Sequence, residues 1–484
     1  MRDVYRSAML TVIWLGEEAD DSSGWVDSIS ALREQFPEDD TADQTPFSAN
    51  NMAQLLNRLA AGLVIGQNPS QQLMLSPRWN PLVALFRRPW FRRKWVIQEV
   101  ALSKNAFVTC GNESVPWAEL ADLMMCLKSS GLWGSITPFQ LNAEAQIGAR
   151  NAIFMASNQR QPPPLEQLVL TSADFECTDQ RDHINALLGL STDANSPELG
   201  IEPIYQGSAA EVFKAFALWR IEHNSIDFFS WSSRRVGGEQ LPSWIPNFAD
   251  MMFESTQLIT KNFTASNKSS VFATIKGGSN LLIAGKIIDE AILLSTIPFE
   301  GPTDRELQTA MSGHLGSWKM IVRRWRDWID DCKGVAYLKP IEWSEIWRTI
   351  VWDHNLAGRA PEQLGEQMLR FFDSIERISD LDVNWDPSMT VAMQATQFYP
   401  INLCLNAYAA GKLLCLTANK RLASVPKTVQ AGDKICIFLG GHVPYVIRPH
   451  GSDDYTLIGP CYLHGAMDGE MNVEKSPGKI ITLV

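Results

Sequence analysis

The order of apolar and polar positions divides the chain into an α/β opening and a β-rich end. Met9-Leu-Thr-Val-Ile-Trp-Leu15 is a nearly continuous apolar run, the pattern of a strand buried on both faces, usually inside a parallel sheet. Asp3 to Ala8 reads as the last turns of a helix before it, and Gly16 to Gly24 as the polar loop after it. A helix follows at Trp25–Gln35, then an acidic loop over Pro37–Asn51 and a helix from about Met52 to Leu63. Pro81–Arg87 forms another helical turn, and Trp90–Lys104 a Pro-started helix. Ala106–Thr109 is a second strand and Trp117–Leu127 a further helix. This βα alternation belongs to an open α/β sheet. Such a sheet needs more than two strands, so the opening segment reads as the middle of a domain whose first half is absent.

From about 140 to 260 the pattern is helix and loop, with helices at Asp182–Leu190 and Ala209–Asn224 and an extended connection, Leu241-Pro-Ser-Trp-Ile-Pro246. Segments 270–274 and 280–295 read as strands around the Gly277-Gly278 turn. Residues 304–331 and 341–380 are helical, with Trp318, Trp325 and Trp328 at helical spacings. The end is β: Lys434–Leu439, Val443–Arg448, Tyr455–Tyr462 and Lys479–Val484. Three regions follow: 1–130, 131–260 and 261–484.

Composition narrows the function. With 45% hydrophobic and 20% charged residues, the 484-residue chain is folded rather than disordered. A net charge of −12 argues against a general nucleic-acid binder. No apolar window of about 18 residues suggests a membrane span, and the opening residues have no secretory h-region. The eight cysteines stand singly, without CxxC or Cys/His ligand spacing. Buried reduced thiols in a cytoplasmic protein are therefore expected, and no metal site.

Chemistry concentrates in Arg87-Arg-Pro-Trp-Phe-Arg-Arg-Lys-Trp-Val-Ile-Gln-Glu99. Trp95 and Glu99 are four apart and would share a helix face. An acid beside an aromatic plate can have a raised pKa or stabilise a developing positive charge. The plain alternative is a helix glutamate paired with Arg92 or a nearby lysine. Arg87, Arg88, Arg92, Arg93 and Lys94 surround the start of that helix, a natural phosphate cradle or else a solvated face covering Trp90 and Phe91. His464-Gly-Ala-Met-Asp468-Gly-Glu470 carries three potential ligands, but its spacing fits a tight loop capped by Asp468 better than a metal motif. No GxSxG, P-loop or GxGxxG lies in a supporting context.

These motifs resemble the fungal heterokaryon-incompatibility (HET) domain proteins. Met1-Arg-Asp-Val-Tyr5-Arg-Ser-Ala8 and Val12-Ile-Trp14-Leu-Gly16 are similar to the family's opening pattern. Arg88-Pro-Trp90-Phe-Arg-Arg93-Lys-Trp95-Val-Ile-Gln98-Glu99, with Cys110-Gly111 and Trp117, resembles its core. Downstream, Gln180–Leu190, Leu241–Pro246, Pro444–Arg448 and His464–Glu470 are similar to segments that follow the domain. The family's first two motifs, "S-Y-x-W-G" and "W-I-D-x-x-C-I-N-Q", do not occur, so the resemblance implies a HET domain lacking its N-terminal part.

HET domains look remotely similar to TIR domains, a flavodoxin-like fold with some NAD-cleaving members whose catalytic glutamate lies on a "W-C-x-x-E" helix. Trp95-Val-Ile-Gln-Glu99 has the same spacing. The likeness gives Glu99 the task of orienting the ribose and stabilising an oxocarbenium-like state. Trp95 would support it, and Arg92 and Arg93 would face the pyrophosphate. No cofactor is called for, and NAD enters as a substrate.

The resemblance thus implies an α/β remnant of a TIR/flavodoxin-like HET domain, followed by a larger mixed α+β region ending in antiparallel strands. It implies self/non-self recognition and programmed cell death in a fungal cytoplasm. The partner would be a second copy or another incompatibility protein, with no nucleic acid and no membrane. The rival readings are an NAD glycohydrolase centred on Glu99 and a repurposed scaffold or biosynthetic-cluster protein.

Overall fold

Alternation, not continuity, governs the first apolar run once the chain is folded. Ile13 and Leu15 are buried while Val12 and Trp14 between and beside them are exposed, so the strand has one inward face and not two. The computed structural model describes residues 2–20, 22–33, 80–129, 143–159, 162–193, 201–231, 241–251, 255–303, 306, 315–336, 341–355, 357–378, 399–451, 453–475 and 478–484. The acidic loop Pro37–Asn51 and the helix expected near Met52–Leu63 lie outside them. The chain forms two compact units, 1–209 with 304–313 and 210–303 with 314–484.

In the first unit, β1 (Thr11–Trp14) pairs in parallel with β2 (Ala106–Cys110), Thr11 opposite Ala106. A third strand, β3 (Glu113–Pro116), pairs antiparallel with β2. Only Val115 of β3 is buried, too little for an apolar pattern to announce a strand. Gly111 makes the turn between them at φ +58, a conformation glycine adopts without strain. Trp117 begins the helix Trp117–Ser129 directly after β3, and its ring is buried.

The helix expected over Trp90–Lys104 is two elements instead. Pro89–Arg92 is one 3₁₀ turn and Val96–Ala101 a short α-helix. Arg93 between them is extended, at φ −76 and ψ 132. Its neighbours exchange backbone bonds with a distant residue: Glu176 N–H reaches the Arg92 carbonyl at 2.6 Å, and Lys94 N–H the Glu176 carbonyl at 2.9 Å. Two such bonds outweigh the few tenths of a kcal/mol per residue that helix propensity offers here.

Helix Ala143–Asn158 passes close behind this segment. Asn151 Nδ2 donates to the Phe91 carbonyl at 2.9 Å. A Cβ on Gly148 would stand 2.0 Å from the Phe86 carbonyl oxygen, so the close crossing depends on that glycine.

The second unit is built on β5 (Asn280–Leu294), fifteen residues long. β4 (Ala273–Lys276) precedes it across the Gly277-Gly278 turn. A hairpin, β6 (His354–Asn355) and β7 (Gly358–Arg359), divides the helix expected over 341–380 into Trp343–Ile350 and Glu362–Ile378. β8 (Lys412–Thr417) and β9 (Leu422–Pro426) were not visible as strands in the pattern, because nearly every position in both is buried. Then come β10 (Lys434–Phe438), β11 (Tyr445–His450), β12 (Asp454–Pro460), β13 (Tyr462–Leu463) and β14 (Lys479–Leu483).

Among the described residues, β5–β10–β11–β12–β14 pair in a ring that returns to β5. All these pairings are antiparallel except β12 with β14. Closure removes the sheet edges that would otherwise need covering. Ala291, Cys415, Val425, Ile435, Val446 and Cys461 are among the buried core residues of this unit.

Gly148→Ala should destabilise the first unit although alanine is favoured over glycine in a helix by about 1 kcal/mol. Overlap with the Phe86 carbonyl dominates, and a loss of about 1–3 kcal/mol is expected in denaturant titration. A gain in stability would refute the close crossing.

Candidate functional site

The residues singled out in the sequence separate into two neighbourhoods once the helix is broken at Arg93. Glu99 lies half-buried on the helix Val96–Ala101. Its Oε2 accepts the indole N–H of Trp90 at 3.0 Å. Tyr5, from the helix Arg2–Ser7, stands near the same carboxylate. Burial raises the Tyr5 pKa, the negative Glu99 raises it further, and Arg93 lowers it. Glu99, Tyr5 and Arg93 therefore share one electrostatic environment, with Arg93 exposed to solvent. Ser103 anchors the helix end, its hydroxyl meeting the Glu99 carbonyl and Thr11 Oγ1.

Trp95 faces the other neighbourhood. Its indole N–H donates to Asp182 Oδ2 at 2.8 Å, and Tyr205 donates to Asp182 Oδ1 at 2.9 Å. The aromatic group holding Glu99 by a hydrogen bond is thus Trp90, nine residues away, and not Trp95. Arg92 does not pair with Glu99 either. Its Nε meets Glu176 Oε1 at 3.1 Å. Among the other cations, Arg87 pairs with Glu144 at 3.7 Å, and Arg88 donates to the Ala19 carbonyl and Ser22 Oγ at 3.1 Å each.

Lys94 is fully buried, which its charge did not suggest. Its amine donates to the Ser172 carbonyl at 2.7 Å, and burial lowers its pKa to about 8. Nearby, burial pushes the Cys177 thiol up to about 12 against the opposing pull of Lys94. His183 is driven down to about 3 by burial and then by the Lys94 charge, and its Nδ1 has no hydrogen-bond partner. Gln98 Nε2 donates to the Ala186 carbonyl at 2.7 Å. Tyr5, Trp90, Lys94, Asp182 and Tyr205 were not singled out as partners in the sequence, because only the fold brings positions so far apart together.

In the second unit, Asp468 accepts from Arg359 at 2.6 Å, and its backbone N–H meets Glu470 Oε2 at 2.7 Å. The 464–470 segment is a braced loop. No group of three or more His, Cys, Asp or Glu side chains able to hold a metal occurs among the described residues. No helix among them is long and apolar enough to cross a membrane.

Comparison with known proteins gives this architecture its relatives. Residues 1–99, ending on Glu99, match the family described as heterokaryon incompatibility protein (HET). Residues 337–477 match the Het-6 β-barrel domain. Heterokaryon incompatibility protein 6, OR allele, of Neurospora crassa is 23% identical, across 97% of this chain and 78% of that protein. The chain is similar to the fungal heterokaryon incompatibility proteins over both of these segments. Its HET domain contains the Glu99 neighbourhood, and the ring of strands overlaps the Het-6 barrel match. β5 and β14 complete that ring from outside the matched segment. No solved structure matches the chain.

The HET-domain lysine gives a pH test. Its folded pKa of about 8 lies below the ordinary 10.5, so the unfolded chain holds the proton more tightly. Folding stability from Lys94 is then complete above pH 10.5 and falls as pH drops toward 8. Lys94→Met removes this dependence. The melting temperature of the wild type relative to the variant should rise across that window, and a constant difference would show that Lys94 is not buried as an amine.

Proposed function

We propose that this protein acts in heterokaryon incompatibility, as a self/non-self recognition factor whose engagement leads to programmed cell death. The end-to-end likeness to the Neurospora crassa protein carries this reading, since a HET domain and a Het-6 barrel occur in one chain with that protein aligned across both. A second copy or another incompatibility protein is the partner this reading calls for. Inducible expression in a filamentous fungus should slow or arrest colony growth and admit a vital dye. Trp90→Ala, which removes the indole N–H that bonds Glu99, should relieve the arrest while the protein still accumulates. Healthy colonies at high expression of the wild type would overturn the proposal.

One observation favours a second, enzymatic reading of the same domain. Glu99 is half-buried and oriented by the Trp90 indole, with Tyr5 and the exposed Arg93 nearby. The parallel β1–β2 pair between helices is compatible with a TIR/flavodoxin-like sheet. In this reading Glu99 stabilises positive charge on the ribose of NAD as the bond to nicotinamide breaks, and Arg93 faces the pyrophosphate. Arg92 would join it on leaving Glu176, while Trp95, bonded to Asp182, stands apart from the acid. Purified protein incubated with NAD should release nicotinamide, and Glu99→Gln should slow release by about 100-fold or more. Equal release by both proteins would remove Glu99 from the chemistry.

A further inference from the structure

We propose that residues 201–207 form a releasable strap pinned to the helix Asp182–Leu188, and that the Asp182 carboxylate couples its release to Trp95. One carboxylate oxygen holds the indole of the motif and the other holds the strap. The device lies within the first unit and depends on neither functional reading.

The seat is rigid, because every residue of the helix Asp182–Leu188 is buried. Asn185 reads the strap as another peptide group would. Its Nδ2 donates to the Ile204 carbonyl at 2.9 Å, and its Oδ1 accepts the Ile204 N–H at 3.3 Å. Arg181, immediately before the helix, donates through Nη1 to the Tyr205 carbonyl at 2.6 Å and the Gly207 carbonyl at 3.2 Å. Its Nη2 is held by Asp179 Oδ2 at 2.7 Å, so the planar fork is oriented independently of the strap. The same guanidinium lies 5.6 Å from the centre of the Tyr205 ring.

The strap has the opposite character. Residues 201–207 adopt neither helix nor strand, and none of them is buried. Apolar burial therefore contributes little to seating them, and polar bonds to the prepared helix contribute most. Each such bond changes the seated population by a few-fold to about 10-fold. A segment held in this way opens locally well before its unit unfolds. The strap leads directly into the helix Ala209–Glu222, where the second unit begins.

Asp182 makes the coupling. Its Oδ2 takes the Trp95 indole N–H at 2.8 Å and its Oδ1 the Tyr205 hydroxyl at 2.9 Å. The carboxylate torsion is broad and two-fold by itself. The indole bond fixes that plane and so aims the second oxygen at Tyr205. Without the indole N–H the carboxylate turns, and the phenol loses an oriented acceptor. Partial burial, then the bond to Asp182, holds the Tyr205 pKa above the ordinary phenol value, so Tyr205 stays a donor. Any contact that turns Trp95 loosens the strap and, by reciprocity, a strap drawn away loosens Trp95.

Chymotrypsin cleavage of the full chain after position 205, located by mass spectrometry, reads the population of released strap. Asn185→Ala should speed this cut by about 10-fold or more, and Tyr205→Phe, which keeps a cleavage site, by about 5-fold. Trp95→Phe keeps a ring but loses the N–H, and should also speed the cut by about 5-fold although it removes no bond to the strap. Adding Trp95→Phe to Tyr205→Phe should then gain nothing further, since both act through Asp182. Asn151→Ala, which removes a bond to the Phe91 carbonyl in the same unit, controls for general softening and should leave the cut unchanged. An unchanged rate in Asn185→Ala would overturn the strap. No acceleration in Trp95→Phe, or independent effects of Trp95→Phe and Tyr205→Phe, would overturn the coupling. Equal acceleration in Asn151→Ala would reduce the whole effect to loosening of the unit.

Discussion

Two backbone hydrogen bonds between Glu176 and the Arg92–Lys94 segment organise the most informative part of this chain. By holding Arg93 extended, they end one helical turn and start another. The interruption rotates each side chain of the motif away from where a continuous helix would place it. Trp90 reaches forward to Glu99, Trp95 turns to Asp182, and Lys94 enters the core to meet the Ser172 carbonyl. A hydrogen bond to a charged carboxylate is worth about 1.5–3 kcal/mol, so the Trp90–Glu99 contact fixes the acid as well as shielding it. Loss of the Glu176 exchange would loosen all three contacts together.

The second unit solves a different problem. Fifteen residues of β5 offer more edge than one neighbour can satisfy, so β14 and β4 flank its first part while β10 and then β8 take over further along. The register shift near Ile435 and Cys436 lets β5 bend as this exchange occurs. Two carboxylates buried in this unit are paired. Asp433 receives Arg448 through two bonds of 2.9 Å, and Asp289 accepts from Thr417 Oγ1 at 2.9 Å. Arg448 accordingly has its pKa raised by Asp433.

Legibility in the sequence followed the range of the interactions involved. β10, β11 and β12 were readable because apolar residues and turn glycines announce them within a few positions. β8 and β9 were not, since strands buried throughout lose the period that identifies them. The 341–380 helix was expected to be continuous, yet the His354–Arg359 hairpin interrupts it, with Trp352 and Asp353 both at positive φ. Arg359 there meets Asp353 and Asp468, contacts that no local pattern encodes. At the Glu99 neighbourhood, spacing nominated the acid but paired it with Trp95, whereas Trp90 holds it.

By itself the sequence determined the family resemblance and the mixed α/β character, because these reside in residue identity and local order. Only the tertiary structure decided which aromatic ring serves Glu99, which cations are already paired and which residue β1 meets at its start. Those outcomes depend on Glu176, Asp182, Glu144 and Asn105 arriving from elsewhere in the chain. A side chain's partner is set by where the backbone is held, and here a contact some eighty residues away holds it.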